Sequence, residues 1–143
     1  MISLKTRGFT LIELVVVIAL LGILAAFAIP RFASLEREAR AATVQGLSGS
    51  LRSAAAMSHG LFLATGATPV LMEGNSIDMA NGYPDAATIE DTLADITGFT
   101  TSVAGTTTTF TKTGAATPAT CQVTYAEAAA NSAPTITPST AGC

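Results

Sequence analysis

The fold of this chain is decided by its first 31 residues, which read MISLKTRGFTLIELVVVIALLGILAAFAIPR. Between Phe9 and Ile29 the only charged side chain is that of Glu13. As an α-helix this segment would extend over about 30 Å, which is the thickness of the hydrocarbon part of a bilayer. The stretch therefore predicts one membrane-spanning helix that carries a single acid near its start.

The flanking charges predict the orientation of this helix. Lys5 and Arg7 lie directly before the apolar run, and short basic segments stay on the cytoplasmic side of a membrane. We therefore expect the rest of the chain to lie on the opposite side of the membrane, outside the cytoplasm.

An ordinary secretory signal peptide is an alternative interpretation of the same stretch. Small residues at Ala25, Ala26 and Ala28 imitate the cleavage site of such a peptide. The apolar run is, however, longer than that of a signal peptide, and a carboxylate inside a membrane costs about 2.5–3.5 kcal/mol on insertion scales. The cost of placing Glu13 in a membrane therefore indicates that this acid has a function, and it predicts a partner for the carboxylate.

Residues 5–14, which read KTRGFTLIEL, resemble the processing site of type IV pilins and of the related pseudopilins of type II secretion. The apolar run that follows, with its Gly22 and Pro30, is similar to the N-terminal helix of these proteins. The resemblance implies that a prepilin peptidase cleaves between Gly8 and Phe9 and that Phe9 is then N-methylated.

The same resemblance implies a role for Glu13 in assembly. Its carboxylate would meet the amine of Phe9 on a neighbouring subunit, and methylation would leave that amine cationic. From the residues alone, Glu13 could instead extend toward the lipid headgroups without a protein partner. The implied partners are copies of the same chain in a helical filament, the inner membrane before assembly, a prepilin peptidase with N-methyltransferase activity, an assembly platform with its ATPases, and minor pilins.

The chain is long enough for one domain besides the membrane helix. We expect an α+β pilin fold, in which a long N-terminal helix packs on a small antiparallel sheet and the chain ends in a disulfide loop. The predicted parts are a cleaved leader at 1–8, a transmembrane and filament-core helix at 9–30, an amphipathic half of the helix at 31–62, and a globular head at 63–143.

Gly22 and Pro30 are predicted to soften the long helix, because glycine is a poor helix former and proline crowds the preceding turn. Beyond Pro30 the pattern becomes amphipathic, and we expect the helix to continue to about His59. Its predicted apolar face comprises Val44, Leu47, Leu51, Ala54, Ala55, Ser58, Leu61 and Phe62.

The other face of this helix carries charges of both signs and several small residues. The charges are typical of a solvated face, but in a filament they could set the register between neighbouring helices. Small residues such as Gly46 and Gly49 would allow another helix to approach closely. The charged residues are Arg31, Glu36, Arg37, Glu38, Arg40 and Arg52.

The charge of the head excludes one class of partner. After Arg52 the sequence has seven acids and a single base, Lys112. A surface of that sign repels phosphate backbones, which argues against nonspecific nucleic-acid binding. We predict no specific nucleic-acid partner, whereas surface or glycan ligands remain open.

Cys121 and Cys143 are the only cysteines, and both lie in the part that we place outside the membrane. A disulfide can persist there, and closing the loop 121–143 would contribute about 3 kcal/mol to stability in the chain-entropy model. The alternative is a metal pair, but two distant cysteines with His59 do not form a zinc ligand set.

The head is predicted to contain short strands at 70–72 and 77–79, with turns at 73–76 and 81–84. We expect a short helix from Thr88 to Ile96, with Thr88 as its N-cap and Gly98 as its terminator. Later segments are predicted as a hairpin of 99–103 with 107–112, a strand at 121–125, and a loose tail at 126–142 that only Cys143 tethers.

The head also has a narrower resemblance to the mannose-sensitive haemagglutinin class of type IV pilin. The matching segments are Asn81-Gly82-Tyr83-Pro84, residues 121–128 (CQVTYAEA) and the terminal Gly142-Cys143. This resemblance implies an extracellular filament for attachment to surfaces and cells and for early biofilm formation.

No catalytic motif is present in the part outside the membrane, and we expect no enzyme activity, metal or cofactor. His59 is more typical of a helix C-terminal cap or a solvent-facing residue than of a base. The acids Asp78 and Asp85, with Glu73 and Asn75 nearby, fit no calcium-loop spacing and are better explained by turn formation.

Three functions follow from these observations. The leading one is a structural subunit that leaves the inner membrane and polymerises into a pilus filament. A type II secretion pseudopilin shares the N-terminal chemistry but forms a short periplasmic piston, and a terminal disulfide favours the pilin. A membrane-anchored binding module that never polymerises would keep residues 1–8 in the mature protein.

Overall fold

A computed structural model describes residues 8–143, without the side chains of Pro30 and Ala33. The predicted leader before Gly8, including Lys5 and Arg7, lies outside the described residues. The described chain forms two compact units, residues 8–36 and Arg37–Cys143, which are presented separately.

The first unit consists of the N-terminal part of the long helix α1, which begins at Leu11 and ends at Thr65. An 18-residue window of α1 near the N-terminus has a mean hydropathy of 2.9, and none of it is buried. By length and composition this segment is able to cross a membrane. The helix is continuous through Gly22 and Pro30, so the predicted softening stays a prediction about the assembled state.

The helix ends later than predicted, at Thr65 rather than near His59. Gly66 follows with a φ of 64°, in the left-handed region that terminates helices, and its amide donates to the carbonyl of Phe62 at 2.8 Å. The predicted end near His59 was too early, because Gly60 lies within the helix and a glycine within a helix need not end it.

In the second unit, the amphipathic half of α1 packs on a four-stranded sheet. Val44, Leu47 and Leu51 on the helix are buried, and with Phe110 and Tyr125 of the sheet they form one core. The predicted apolar face is thus confirmed except at Leu61, which is 38% exposed. Burial of a large apolar side chain contributes about 1.5–3 kcal/mol, so these contacts hold helix and sheet together.

The sheet has four strands, which are antiparallel throughout and lie side by side in the order in which they occur in the chain. The predicted hairpin is confirmed, and the strand predicted at Cys121 begins one residue later. The strands are β5 (Phe99–Ala104), β6 (Thr107–Lys112), β7 (Gln122–Ala126) and β8 (Thr135–Ser139).

The prediction of a loose C-terminal tail was wrong, because β8 pairs with β7 along its whole length. The missed signal is Thr135-Ile136-Thr137, which is β-branched and alternates in polarity. Pro138 argued against a strand here. Proline is tolerated on an edge strand, however, because its missing N–H lies on the side that has no neighbouring strand.

Two small hairpins connect α1 to this sheet. They comprise β1 (Val70–Met72) with β2 (Asn75–Ile77) and β3 (Met79–Ala80) with β4 (Tyr83–Pro84). Both have two-residue turns, Glu73-Gly74 and Asn81-Gly82, in which each residue has a positive φ. The first turn is shorter than predicted, so the second strand begins at Asn75 and ends at Ile77.

The helix predicted from Thr88 to Ile96 is only a single 3-10 turn, Ile89–Thr92. Thr88 makes no capping hydrogen bond; instead Asp85 Oδ1 accepts from the amide and hydroxyl of Thr88 at 2.8 and 2.7 Å. The turn stops at Leu93, which is extended, because this segment consists mainly of Asp, Thr and Ile, which are weak helix formers. Ile89 is buried in the core, and Leu93 and Ile96 pack partly buried against it, so these apolar residues reach the core without a longer helix.

Cys121 and Cys143 form the predicted disulfide, and both are buried. Around it, Gly142 exchanges backbone hydrogen bonds with Thr117 and Thr120, at 2.9 and 3.0 Å. A Cβ at Gly142 would overlap the Thr117 carbonyl and the Thr120 hydroxyl, so only glycine fits there. The last residues are thereby fixed to the segment that precedes β7.

Candidate assembly interface

Thr10 and Glu13 close the N-terminal end of α1 by hydrogen bonding to each other. The amide and hydroxyl of Thr10 donate to Glu13 Oε2 at 2.9 and 2.7 Å, and the amide of Glu13 donates to Thr10 Oγ1 at 3.3 Å. This is the capping box, in which an N-cap Thr and an acid three residues later satisfy backbone donors reciprocally. The Thr-x-x-Glu spacing of a capping box is present in the sequence, and this local role of Glu13 was not predicted.

The capping box leaves part of the carboxylate available. Within residues 8–143, every hydrogen bond to Glu13 ends on Oε2, and Oε1 accepts none. Glu13 lies in a shallow depression of about 420 Å³ that is otherwise lined by Phe9, Ile12, Val16 and Val17. An incoming cation would therefore meet one open carboxylate oxygen on an apolar surface.

Phe9 and Glu13 line the same depression, although Phe9 lies before the start of α1 at Leu11. The side chain of Phe9 is 90% exposed and has no apolar cover in its own unit. In the described chain Phe9 is still joined to Gly8 by a peptide bond, so its nitrogen is an amide. The predicted cleavage, methylation and ion pair between subunits are not tested by this geometry.

The apolar side chains of α1 between Leu11 and Ile29 are exposed in their unit. Such a continuous apolar surface is unstable in water and requires lipid or other protein to cover it. The surface is uncharged apart from Glu13.

The head part of α1 carries a row of small residues opposite the buried face. A Cβ added to Gly46, Gly49 or Gly60 would meet no heavy atom within 4 Å. Each glycine in a helix interior costs about 0.8–1 kcal/mol relative to alanine, and no contact among the described residues explains that cost. The exposed residues of this row are Ala42, Gly46, Gly49, Ser53, Ala56 and Gly60.

Arg40 and Arg52, which the sequence placed on the charged face of α1, bind the C-terminal segment. Arg40 donates to the carbonyl of Cys143 at 3.0 Å, and Arg52 donates to the carbonyl of Ile136 at 3.1 Å. These contacts join residues more than 80 positions apart in the chain, and no local pattern predicts them.

His59 neither caps the helix end nor faces solvent fully. Its Nδ1 lies 2.7 Å from the carbonyl oxygen of Gly82 and donates to it, since a carbonyl can only accept. Its ring stacks on that of Tyr83, with 4.1 Å between centroids. His59 therefore packs α1 against the hairpin of β3 and β4.

The acids considered for calcium do not converge. Asp85 holds Thr88, and the side-chain amide of Asn75 donates to the carbonyl of Asp91 at 3.1 Å. Among the described residues there is no group of three or more His, Cys, Asp or Glu that could hold a metal ion.

Comparison with known proteins points to the N-terminal segment. Residues 3–29 match the prokaryotic N-terminal methylation motif. The type IV narrow pilus major component PilA5 of Thermus thermophilus is 47% identical over 53 residues, which are 37% of this chain and 46% of that protein. A fimbrial protein of Pseudomonas aeruginosa is 38% identical over 96 residues, 67% of this chain and 50% of that protein.

A third relative, the type IV major fimbrial protein FimA of Dichelobacter nodosus, is 44% identical over 48 residues, 34% of this chain and 31% of that protein. The chain thus spans half or less of the length of these relatives. No solved structure gives a significant match to the chain. The motif and the relatives support the type IV pilin family, and they do not distinguish the mannose-sensitive haemagglutinin class.

Proposed function

We propose that this chain is the precursor of a structural subunit that polymerises into a type IV pilus. The observation that carries the proposal is the uncovered apolar part of α1, whose solitary acid Glu13 lies inside the methylation motif at residues 3–29. A helix of this kind is able to remain in the inner membrane as a single-pass precursor and later to pack against its own copies.

Cleavage between Gly8 and Phe9 would convert the amide nitrogen of Phe9 into an amine. Methylation keeps this amine cationic, so it can pair with the open Oε1 of Glu13 on a neighbouring copy. Thr10 would continue to hold Oε2, which fixes the orientation of the carboxylate. A hydrogen bond to a charged group contributes about 1.5–3 kcal/mol, and the acid would no longer be without a cationic partner in an apolar environment.

The ion pair decides assembly more than apolar burial does. Lipid tails are as apolar as the side chains of neighbouring helices, so exchanging one for the other gains little free energy. Close helix packing and the pairing of Glu13 are what the filament offers beyond the membrane. The row of small residues on α1, which no contact in the described part of the chain explains, is consistent with such packing.

The head would form the coat of the filament, on the periplasmic side before assembly and outside the cell afterwards. Processing by a prepilin peptidase and N-methyltransferase, assembly by a platform with ATPases, and initiation by minor pilins are parts of the same proposal. The segments 81–84 and 121–128 support a finer function in surface attachment and biofilm formation, by their resemblance to mannose-sensitive haemagglutinin pilins.

The proposal is tested by replacing Glu13 with leucine in the full-length precursor. We expect the variant to be cleaved at Gly8 and to remain in the membrane, but to yield few or no filaments in electron micrographs of sheared surface material. Ile12→Leu, which keeps the apolar surface and the acid, is the matched control and should assemble normally.

Mass spectrometry of the mature protein provides the independent readout. A chain that begins with methylated Phe9 agrees with the proposal. Filament yields of correctly cleaved Glu13→Leu that equal those of the parent would show that the acid has no role in assembly. Retention of residues 1–8 in the mature protein would instead favour a membrane-anchored module that does not polymerise.

A further inference from the structure

The head contains a pocket beside α1 that shares only Ala56 with the row of small residues to which the proposed filament function assigns a role. It has a volume of about 290 Å³ and is lined by Arg52, Ala55 and Ala56 of α1, by Tyr83, by Ala133 and Pro134 before β8, and by Ile136 of β8. We refer to it as the Arg52 pocket. Its volume is at the lower end of that of small-molecule sites, which suits a ligand of one sugar ring.

The guanidinium group of Arg52 is held in place without being neutralised. It donates to the hydroxyl of Ser48 at 3.4 Å and to the carbonyl of Ile136 at 3.1 Å. No carboxylate forms an ion pair with it anywhere in residues 8–143. A guanidinium has five N–H donors, so this ordered cation keeps donors for a bidentate carboxylate ligand.

The remaining walls of the Arg52 pocket are aromatic and aliphatic. His59 stacks on the Tyr83 ring, yet the pocket is lined by Tyr83 and not by His59, so the ring presents a surface that the histidine does not cover. Pro134 and Ile136 form the facing wall. The Tyr83 hydroxyl makes no hydrogen bond in the described part of the chain.

We propose that the Arg52 pocket binds a single carboxylated sugar residue, of the hexuronic acid class, within an otherwise neutral glycan. The carboxylate pairs with Arg52, the C–H face of the pyranose ring lies against Tyr83 and Ile136, and the ring hydroxyls reach solvent and the Tyr83 phenol. The proposal goes beyond the filament function and does not depend on polymerisation.

Two other anionic ligands fit less well. An Asp or Glu side chain of a second copy would satisfy Arg52 but would leave the aromatic and aliphatic walls uncovered. A polyanionic glycan would bring many charges close to a head in which eight acids face four bases, from Arg37 to Cys143. A single carboxylate pairs with Arg52 at short range, where the screened field of the distant acids is weak.

The test uses the full-length chain in detergent micelles and two probes that differ at one group, methyl β-glucuronide and methyl β-glucoside. We expect saturable binding of the glucuronide in ligand-detected NMR, with the glucoside weaker by about tenfold or more, because it lacks the charge-assisted hydrogen bonds. Binding of the glucuronide should also weaken as salt is raised.

Three variants locate the binding site. Arg52→Gln should weaken glucuronide binding by about tenfold or more, and Ala56→Leu should weaken it similarly by filling the pocket from an exposed helix position while leaving Arg52 in place. Arg37→Gln removes an equal charge from the same helix outside the pocket and should leave binding unchanged.

Equal affinity for the two probes, or undiminished binding in both pocket variants, would overturn the proposal. It would be overturned equally if Arg52→Gln reduced filament yield without changing glucuronide binding in micelles, since the guanidinium would then serve an acid of a neighbouring copy. A failure of Glu13→Leu to affect assembly bears on the filament function alone.

Discussion

Replacing both Gly46 and Gly49 with alanine should raise the free energy of unfolding of the head by about 2 kcal/mol. Both residues lie within α1, and an added Cβ would meet no heavy atom within 4 Å at either position. Each substitution therefore removes the helix penalty of glycine, about 0.8–1 kcal/mol, without creating an overlap. For a domain of this size the midpoint of thermal unfolding should rise by roughly 8 °C or more.

The measurement is thermal unfolding of the full-length chain in detergent, followed by near-ultraviolet circular dichroism. The chain has two tyrosines and no tryptophan, and both tyrosines lie in the head, so the tyrosine band of this signal reports the head. Gly142→Ala is the control of opposite sign, because its Cβ would overlap Thr117 and Thr120. An unchanged or lowered midpoint for the double variant would refute the assignment of open space at Gly46 and Gly49.

Two further predictions concern what holds the head together. Replacing Cys121 and Cys143 with serine should lower the free energy of unfolding by about 3 kcal/mol, from the 22-residue separation that the disulfide closes, and urea unfolding with and without reductant would measure this. Burial raises the pKa of the Tyr125 hydroxyl, and the charges of Glu127 and Asp85 raise it further. The stability that Tyr125 contributes is therefore complete below about pH 10, near the pKa of an unfolded tyrosine, and is lost as the pH rises toward the folded-state pKa. Tyr125→Phe should remove that alkaline loss of stability. It should also cost about 1–3 kcal/mol at neutral pH, because the Pro84 carbonyl, 2.5 Å from the hydroxyl, loses its donor. A stability profile from neutral to alkaline pH that is parallel to that of the parent would contradict this.

The N-terminal half of the molecule was predictable because its information is local. The apolar part of α1 depends on continuous hydropathy. The capping box of Thr10 and Glu13 was not predicted, but it also depends only on a three-residue spacing. The amphipathic face that contains Val44 and Leu51 depends on a helical period. Each of these patterns is complete within a few turns of one helix, so no distant partner has to be known.

The head was predictable only in part, because several of its elements depend on distant partners. The strand β8 is stabilised by pairing with β7 and by Arg52 of α1, neither of which can be read from the segment 135–139. The helix expected after Thr88 is limited by a local contact instead of a distant one. Asp85 binds Thr88, and the chain leaves the helical region at Leu93. The turn at Asn81-Gly82 and the disulfide were predictable because each has a strong chemical signature.

The C-terminal segment connects the stability of the head to the proposed sugar site. It is held by pairing of β8 with β7, by the disulfide, and by the bonds from Arg40 and Arg52 to backbone carbonyls of this segment. The same segment supplies the wall of the Arg52 pocket at Ile136, and its carbonyl there orients the guanidinium. Because wall and cation are fixed by one strand, a change that releases β8 removes the pocket even while the core between α1 and β6 persists. The pocket therefore depends on the C-terminal strand, whereas the proposed assembly interface of Phe9 and Glu13 is encoded by neighbouring residues just before and within the first turn of α1.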